Sequence, residues 1–183
     1  MRCSLNLLAA ATILAIGIAA LAQSPTYRLG KPATEEEIRA WDIAVGPSGK
    51  ELPPGSGTAT EGAKVYTQKC AVCHGPTGKE GHKGPPFEVP RLVGGRVGTF
   101  WPFATTIWDY INRGMPRNQP GTLSADEVYS VTAFLLYKNG IIQESDVLDA
   151  KTLPKVRMPN RDGFVPAEPG WKPGMKRPFR YYP

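Results

Sequence analysis

Residues 58–74 read TATEGAKVYTQKCAVCH, and the last five, Cys70, Ala71, Val72, Cys73 and His74, set the terms for the rest of the chain. Thr58 and Glu61 have the spacing of a capping box, so a helix opens here. Gly62, Tyr66 and Cys70 then fall at i, i+4 and i+8, on one face, which delivers Cys70 to a core. Cys-x-x-Cys-His is the pattern of c-type haem attachment. Two thiols one helical turn apart add to the two vinyl groups on one edge of a porphyrin, and the adjoining imidazole reaches the iron. Two other uses of the pair compete. A redox disulfide calls for a βαβ setting that the sequence lacks. A zinc site joining His74 and His82 would strain, because Cys73 and His74 are neighbours and must share one tetrahedral ion.

Downstream, residues 74–99 contain Gly75, Gly78, Gly81, Gly84, Pro85, Pro86, Pro90, Gly94, Gly95 and Gly98, too many breakers for regular structure. A loop that long without packing of its own is expected to wrap something. Between Pro102 and Arg113 the apolar residues Phe103, Ile107 and Ile111 recur every four positions, and Gly114 is placed to stop the helix. Met115 and Pro116 follow. Ser124 and Glu127 form a second capping box, opening a helix with Val128, Val131, Phe134 and Leu135 on one side and Lys138, Asn139 and Gly140 at its end. No strand alternation competes, so the predicted fold is all-α, with a haem domain over residues 58–140.

An electron-transfer haem with six ligands needs a second axial group. The candidates are His82, Met115, Met158 and Met175. His82 lies eight residues beyond His74 in the same Gly-rich loop, which makes the opposite haem face hard to reach. Met158 and Met175 fall in a Pro-rich tail with no helix to hold a sulfur. Met115, just past a helix stop, is the expected ligand, and a thioether there favours ferrous iron and a comparatively high potential. The other nitrogen of His74 should meet a backbone carbonyl, with Gly84, Pro85 and Pro86 the expected source. Phe100, Trp101, Trp108 and Tyr110 are candidates to line the haem or donate to its propionates, although ordinary core packing explains most such aromatics. None is expected to be catalytic.

Residues 1–22 place Arg2 before an apolar run from Leu5 to Leu21 and end on small residues, the form of a secretory signal cut after Ala22. Residues 23–57 read as an N-terminal extension and linker: Thr34 followed by three glutamates starts a short helix ending near Trp41, and 46–57, GPSGKELPPGSG, is turn chemistry. Residues 141–183 read as an extended, basic, Pro-rich tail. The net charge of +6 is unevenly spread, with 13 Lys and Arg against 14 Asp and Glu over 23–150 but 8 against 2 over 151–183. In an exported chain this excludes nucleic acid as the natural partner and points to an acidic protein or, if the signal stays uncleaved, a membrane surface.

Gly62 and Tyr66 before the Cys-x-x-Cys-His, Gly84 and Pro85 after it, the run Gly114, Met115, Pro116, and a final helix bearing Phe134 and Leu135 together resemble class I cytochrome c. The resemblance implies a helical fold whose first and last helices cross where Gly62 and Phe134 meet, with one covalent haem c whose iron is held by His74 and Met115. The stretches LGKPATEEEIRAWDIAVGPSGKELPPGSGT (29–58), WPFATTIWDYINRGMP (101–116) and LPKVRMPNRDGF (153–164) are similar, more narrowly, to the cytochrome subunit of the Sox sulfur dehydrogenase, also labelled sulfite dehydrogenase cytochrome subunit. Many such subunits carry two haem domains, whereas this chain has one Cys-x-x-Cys-His. The resemblance implies a periplasmic monohaem carrier that takes electrons from a molybdenum-containing dehydrogenase subunit and passes them to a downstream cytochrome or oxidase, catalysis belonging to the partner. The alternatives are a carrier for another periplasmic dehydrogenase, or a haem enzyme or gas sensor with a labile sixth ligand.

Overall fold

The computed structural model describes residues 29–81 and 88–165. These fall into two units divided after Asp42. The first contains α1 (Glu35–Trp41), whose N-terminus is closed reciprocally: the Thr34 hydroxyl accepts from the Glu37 amide, and the Glu37 carboxylate accepts from the Thr34 amide. No residue of α1 is buried. The expected signal segment, residues 1–22, lies outside the described residues.

The second unit runs through β1 (Ser56–Thr58), α2 (Ala59–Lys69), α3 (Ala71–His74), α4 (Arg96–Thr99), α5 (Ala104–Gly114), α6 (Ala125–Lys138), β2 (Val147–Asp149) and a 3-10 turn at Leu153–Lys155. Both capping boxes form as their spacing implies, Thr58 with Glu61 and Ser124 with Glu127. A helix of three or four turns is marginal by itself, so α2 and α6 depend on packing against each other. Gly62 makes their crossing close: a Cβ on it would press into the Ser130 carbonyl and stand 2.7 Å from the Phe134 Cβ. Gly57 on β1 likewise lies against the Ser130 backbone. Tyr66 and Phe134 continue the contact with ring centroids 5.0 Å apart, and Lys69 bonds Glu127 at 2.6 Å. The amphipathic α5 packs Ile107, Trp108 and Ile111 into the same core.

The architecture is helical, with one departure. β1 and β2 pair antiparallel, Gly57 opposite Leu148, although no strand was expected. Three residues per strand are too few for alternation to show in a sequence. Residues 46–57 do more than connect, because Val45 and Leu52 are buried, the Val45 amide donates to Asp109 at 2.8 Å, and the Tyr129 hydroxyl donates to the Pro53 carbonyl at 2.9 Å. The tail differs too. Leu148, Leu153 and Met158 are all buried, so the chain contributes to the core until residue 158 rather than lying extended from 141. Leu148 enters on β2, Leu153 on the 3-10 turn and Met158 on the residue after the Arg157 bridge, so their spacing follows no single period. Among the described residues no helix is long and apolar enough to cross a membrane.

Candidate haem site

Cys70 terminates α2, its amide bonding the Tyr66 carbonyl, and α3 carries Cys73 and His74 one turn further on. Both cysteines are free thiols. They differ in setting: Cys70 is half-buried and Cys73 exposed. Burial pushes the Cys70 thiol up to about 11, which keeps it protonated. A thioether has no charge to desolvate, so the same burial would cost a covalently attached Cys70 nothing.

His74 is 9% exposed and its Nδ1 lies 3.1 Å from the Pro90 carbonyl oxygen. A carbonyl only accepts, so Nδ1 carries the proton and Nε2 keeps a lone pair. Burial, opposed by that hydrogen bond, holds the imidazole pKa below its ordinary value, and the ring stays neutral as a metal ligand must. The expected acceptors Gly84, Pro85 and Pro86 lie outside the described residues, as does His82. The carbonyl that meets Nδ1 belongs instead to Pro90, because the loop is fixed around that residue. The Leu92 and Val93 amides both donate to the Gly78 carbonyl, at 2.8 and 2.9 Å. Asn139, at the end of α6, accepts from the Gly94 amide and donates to the Leu92 carbonyl, both at 3.0 Å. On the near side, the Tyr66 hydroxyl donates to the Gly75 carbonyl at 2.8 Å. Gly75 has φ +78°, the left-handed region in which a side chain is strained. Tyr66 stands out in the sequence through its helix face and the family resemblance, and Asn139 as a helix end; their contacts to the loop have no signal there.

Met115 caps α5, its amide bonding the Ile111 carbonyl at 3.0 Å, and is only partly covered. Met158, by contrast, is 1% exposed within the core. It is held there by an antiparallel bridge between Phe103 and Arg157 and by the preceding turn, not left loose as its Pro-rich setting implied. Met175 lies outside the described residues. Of the aromatics singled out, Phe100 and Tyr110 are exposed, Trp101 is half-buried with its ring 5.5 Å from that of Tyr110, and Trp108 is fully buried.

These residues fit a haem. Leu92, Trp101, Met115, Phe134 and Cys70 pack against the core yet remain only partly covered, an apolar border suited to a flat apolar group. Among the described residues the buried Trp108 Nε1 and Thr105 Oγ1 find no hydrogen-bond partner, so each is a donor open to an acceptor from outside them. Among the described residues no three or more His, Cys, Asp or Glu converge as ligands of a lone metal ion would.

The family described as "Cytochrome C oxidase, cbb3-type, subunit III" matches residues 57–135. A chain of the sulfane dehydrogenase SoxCD from Paracoccus pantotrophus is 32% identical, with a TM-score of 0.61 and 86% of each chain covered. The protein therefore belongs to the cytochrome c family, whose members are electron carriers with covalently bound haem c. Within it, the likeness to the SoxCD chain runs well beyond the 57–135 span and so takes in flanking segments. A thiosulfate dehydrogenase from Stutzerimonas stutzeri (strain A1501) is 28% identical over 108 residues, 52% of this chain. The match spans only about a third, 35%, of that relative's length.

Proposed function

We propose that this is a periplasmic monohaem c-type cytochrome that serves as the electron-transfer subunit of a molybdenum sulfur or sulfite dehydrogenase. Cys70 and Cys73 would attach the haem, and His74 and Met115 would hold its iron. The observation that carries the reading is the buried His74 ring, its Nδ1 turned to the Pro90 carbonyl, following directly on two cysteines that form no disulfide. When bound, the haem supplies reversible one-electron chemistry at its iron. The protein's part is to hold the imidazole through Pro90, to close the site with the helix crossing at Gly62, and to present Met115 from the end of α5. The presequence at 1–22 supports export, and the likeness to the SoxCD chain beyond the haem domain supports a dehydrogenase partner. The electrons then pass to a downstream cytochrome or oxidase.

The attachment is tested by denaturing the protein in acid solvent. Haem retained, with a pyridine spectrum of two saturated thioether links and one haem per chain, supports it; haem released refutes it. The donor is tested by mixing the cytochrome with a purified molybdenum sulfur or sulfite dehydrogenase and following haem reduction on adding sulfite, thiosulfate or a protein-bound persulfide. Reduction by none of these, while an alcohol or amine reduces it through another dehydrogenase, would remove the sulfur assignment and leave the cytochrome.

A further inference from the structure

We propose that the face formed by Arg96, Phe100, Arg161 and Phe164 is a docking surface for an acidic segment of a protein partner. It lies where the C-terminal segment is fastened across the start of α5. Phe103 bridges Arg157 backbone to backbone, and the Asn160 amide donates to the Phe100 carbonyl at 2.7 Å. These polar ties fix the segment without covering it. Phe100 and Phe164 meet edge to face with centroids 5.3 Å apart, yet stay 44% and 54% exposed, with Val165 more open still. Two guanidinium groups lie over rings of the same segment, Arg96 at 5.1 Å from the Phe100 centroid and Arg161 at 4.3 Å from that of the neighbouring Phe103.

The charges are the informative part. Arg157 pairs with Asp162 and Arg113 with Asp109, whereas no carboxylate among the described residues pairs with Arg96 or Arg161. A guanidinium stacked on a ring uses its flat face and leaves its in-plane N–H donors directed outward, a fork that matches a carboxylate. Ring stacking also fixes the fork beforehand, so less side-chain freedom is lost when an anion arrives. Exposed Phe beside Arg is the composition of a protein interface core, not of ordinary solvated surface. A membrane is the poorer occupant, because anionic bilayers are held by clusters of about four to eight cations, and among the described residues this face presents two unpaired ones. The surface is independent of which dehydrogenase supplies the electrons.

The probe is a fluorescent Glu-rich peptide titrated with the full-length holocytochrome and followed by anisotropy. Arg96→Gln with Arg161→Gln should raise Kd roughly 5- to 10-fold, from two exposed charge pairs. Phe164→Ser should raise it about 3-fold through lost apolar contact. Lys64→Gln with Lys79→Gln removes as much charge from exposed positions elsewhere and should change Kd less than about 2-fold. Equal weakening by the two double variants would reduce the effect to net charge and overturn the proposal. So would a change in the visible haem spectrum of Arg96→Gln, which would assign that guanidinium to the haem. Patch-dependent sedimentation with anionic vesicles, without patch-dependent peptide binding, would overturn it in favour of a membrane.

Discussion

Replacing Asn139 with Ala should loosen the loop that orients His74. The side chain of Asn139 makes three hydrogen bonds: it accepts from the Gly94 amide, and it donates to the carbonyls of Leu92, 47 residues away, and Leu135, one turn back. Two of the three cross from α6 to the loop. At about 0.5–1.5 kcal/mol each, the two crossing bonds are worth about 1–3 kcal/mol. Water replaces part of that, since Gly94 is exposed, so a loss near 2 kcal/mol is expected, which for a domain of this size lowers Tm by roughly 5–10 °C. Thermal melting of the holoprotein by far-ultraviolet circular dichroism, with a guanidinium titration for the midpoint, measures it. The consequence reaches the site because Pro90 is only two residues from Leu92. The His74 Nδ1 proton should therefore exchange with solvent faster in the variant. A Tm within about 2 °C of the parent and an unchanged exchange rate would refute the clamp.

At the helix crossing, Gly62→Ala gains about 1 kcal/mol of helix propensity but forces a Cβ against the Ser130 carbonyl, backbone that cannot step aside; the net effect should be a lower guanidinium midpoint, and a higher one would deny the close approach. Asp109 is opposed by burial, yet the Arg113 guanidinium and the Val45 amide outweigh it and hold its carboxyl below the usual range. Its stabilisation is present above the unfolded pKa, about 4, and is lost as pH falls through the folded value; Asp109→Asn should thus cost about 1–2 kcal/mol at pH 7 and little in acid, and a deficit constant over both would contradict this. Truncation after Ala150 removes the buried Leu153 and Met158 and should cost several kcal/mol, about 2–5 for each, as read by thermal melting. Met115→Ala should abolish any sulfur-to-iron charge-transfer band and lower the potential, whereas Met158→Ala should lower Tm and leave the spectrum alone. The reverse pattern would exchange their roles.

Much of the helical frame was legible because its signals are local. Thr58 with Glu61, Ser124 with Glu127, and the four-residue recurrence through Phe103, Ile107 and Ile111 each specify a helix within a few residues, and all three helices form. The close approach of Gly62 to Phe134 came from the family resemblance and is found. What stayed hidden depends on distant partners. A three-residue strand pairing Gly57 with Leu148 has no period, and Leu153 and Met158 enter the core one at a time. Pro90 was passed over for Pro85 because prolines alone do not say which carbonyl a loop will aim. That is decided by Gly78 and Asn139 gripping residues 92–94, contacts that no spacing in the sequence announces.

The electron count constrains how such a subunit must work, given the proposed donor. Oxidation of sulfite releases two electrons, and one haem accepts one. A chain with a single Cys-x-x-Cys-His therefore has to be reoxidised between the two transfers while its donor waits half-reduced. If the cytochrome left its donor after each transfer, every turnover would require two encounters and two dissociations. If it stayed, the reoxidant would have to reach the haem within the complex. The second arrangement calls for a docking face that holds the partner through repeated redox changes, and contacts made outside the haem domain are suited to that need. The likeness to the SoxCD chain extends past residues 57–135, and the Arg96, Phe100, Arg161, Phe164 face includes two residues from beyond that span. On this argument, reduction of the cytochrome in the complex should be biphasic, with one fast electron per haem and a second that appears only when an oxidant is supplied. Stopped-flow mixing of the pre-formed complex with sulfite would read both phases. A fast phase delivering both electrons to oxidant-free cytochrome in a one-to-one complex would require a second acceptor and end the single-haem scheme.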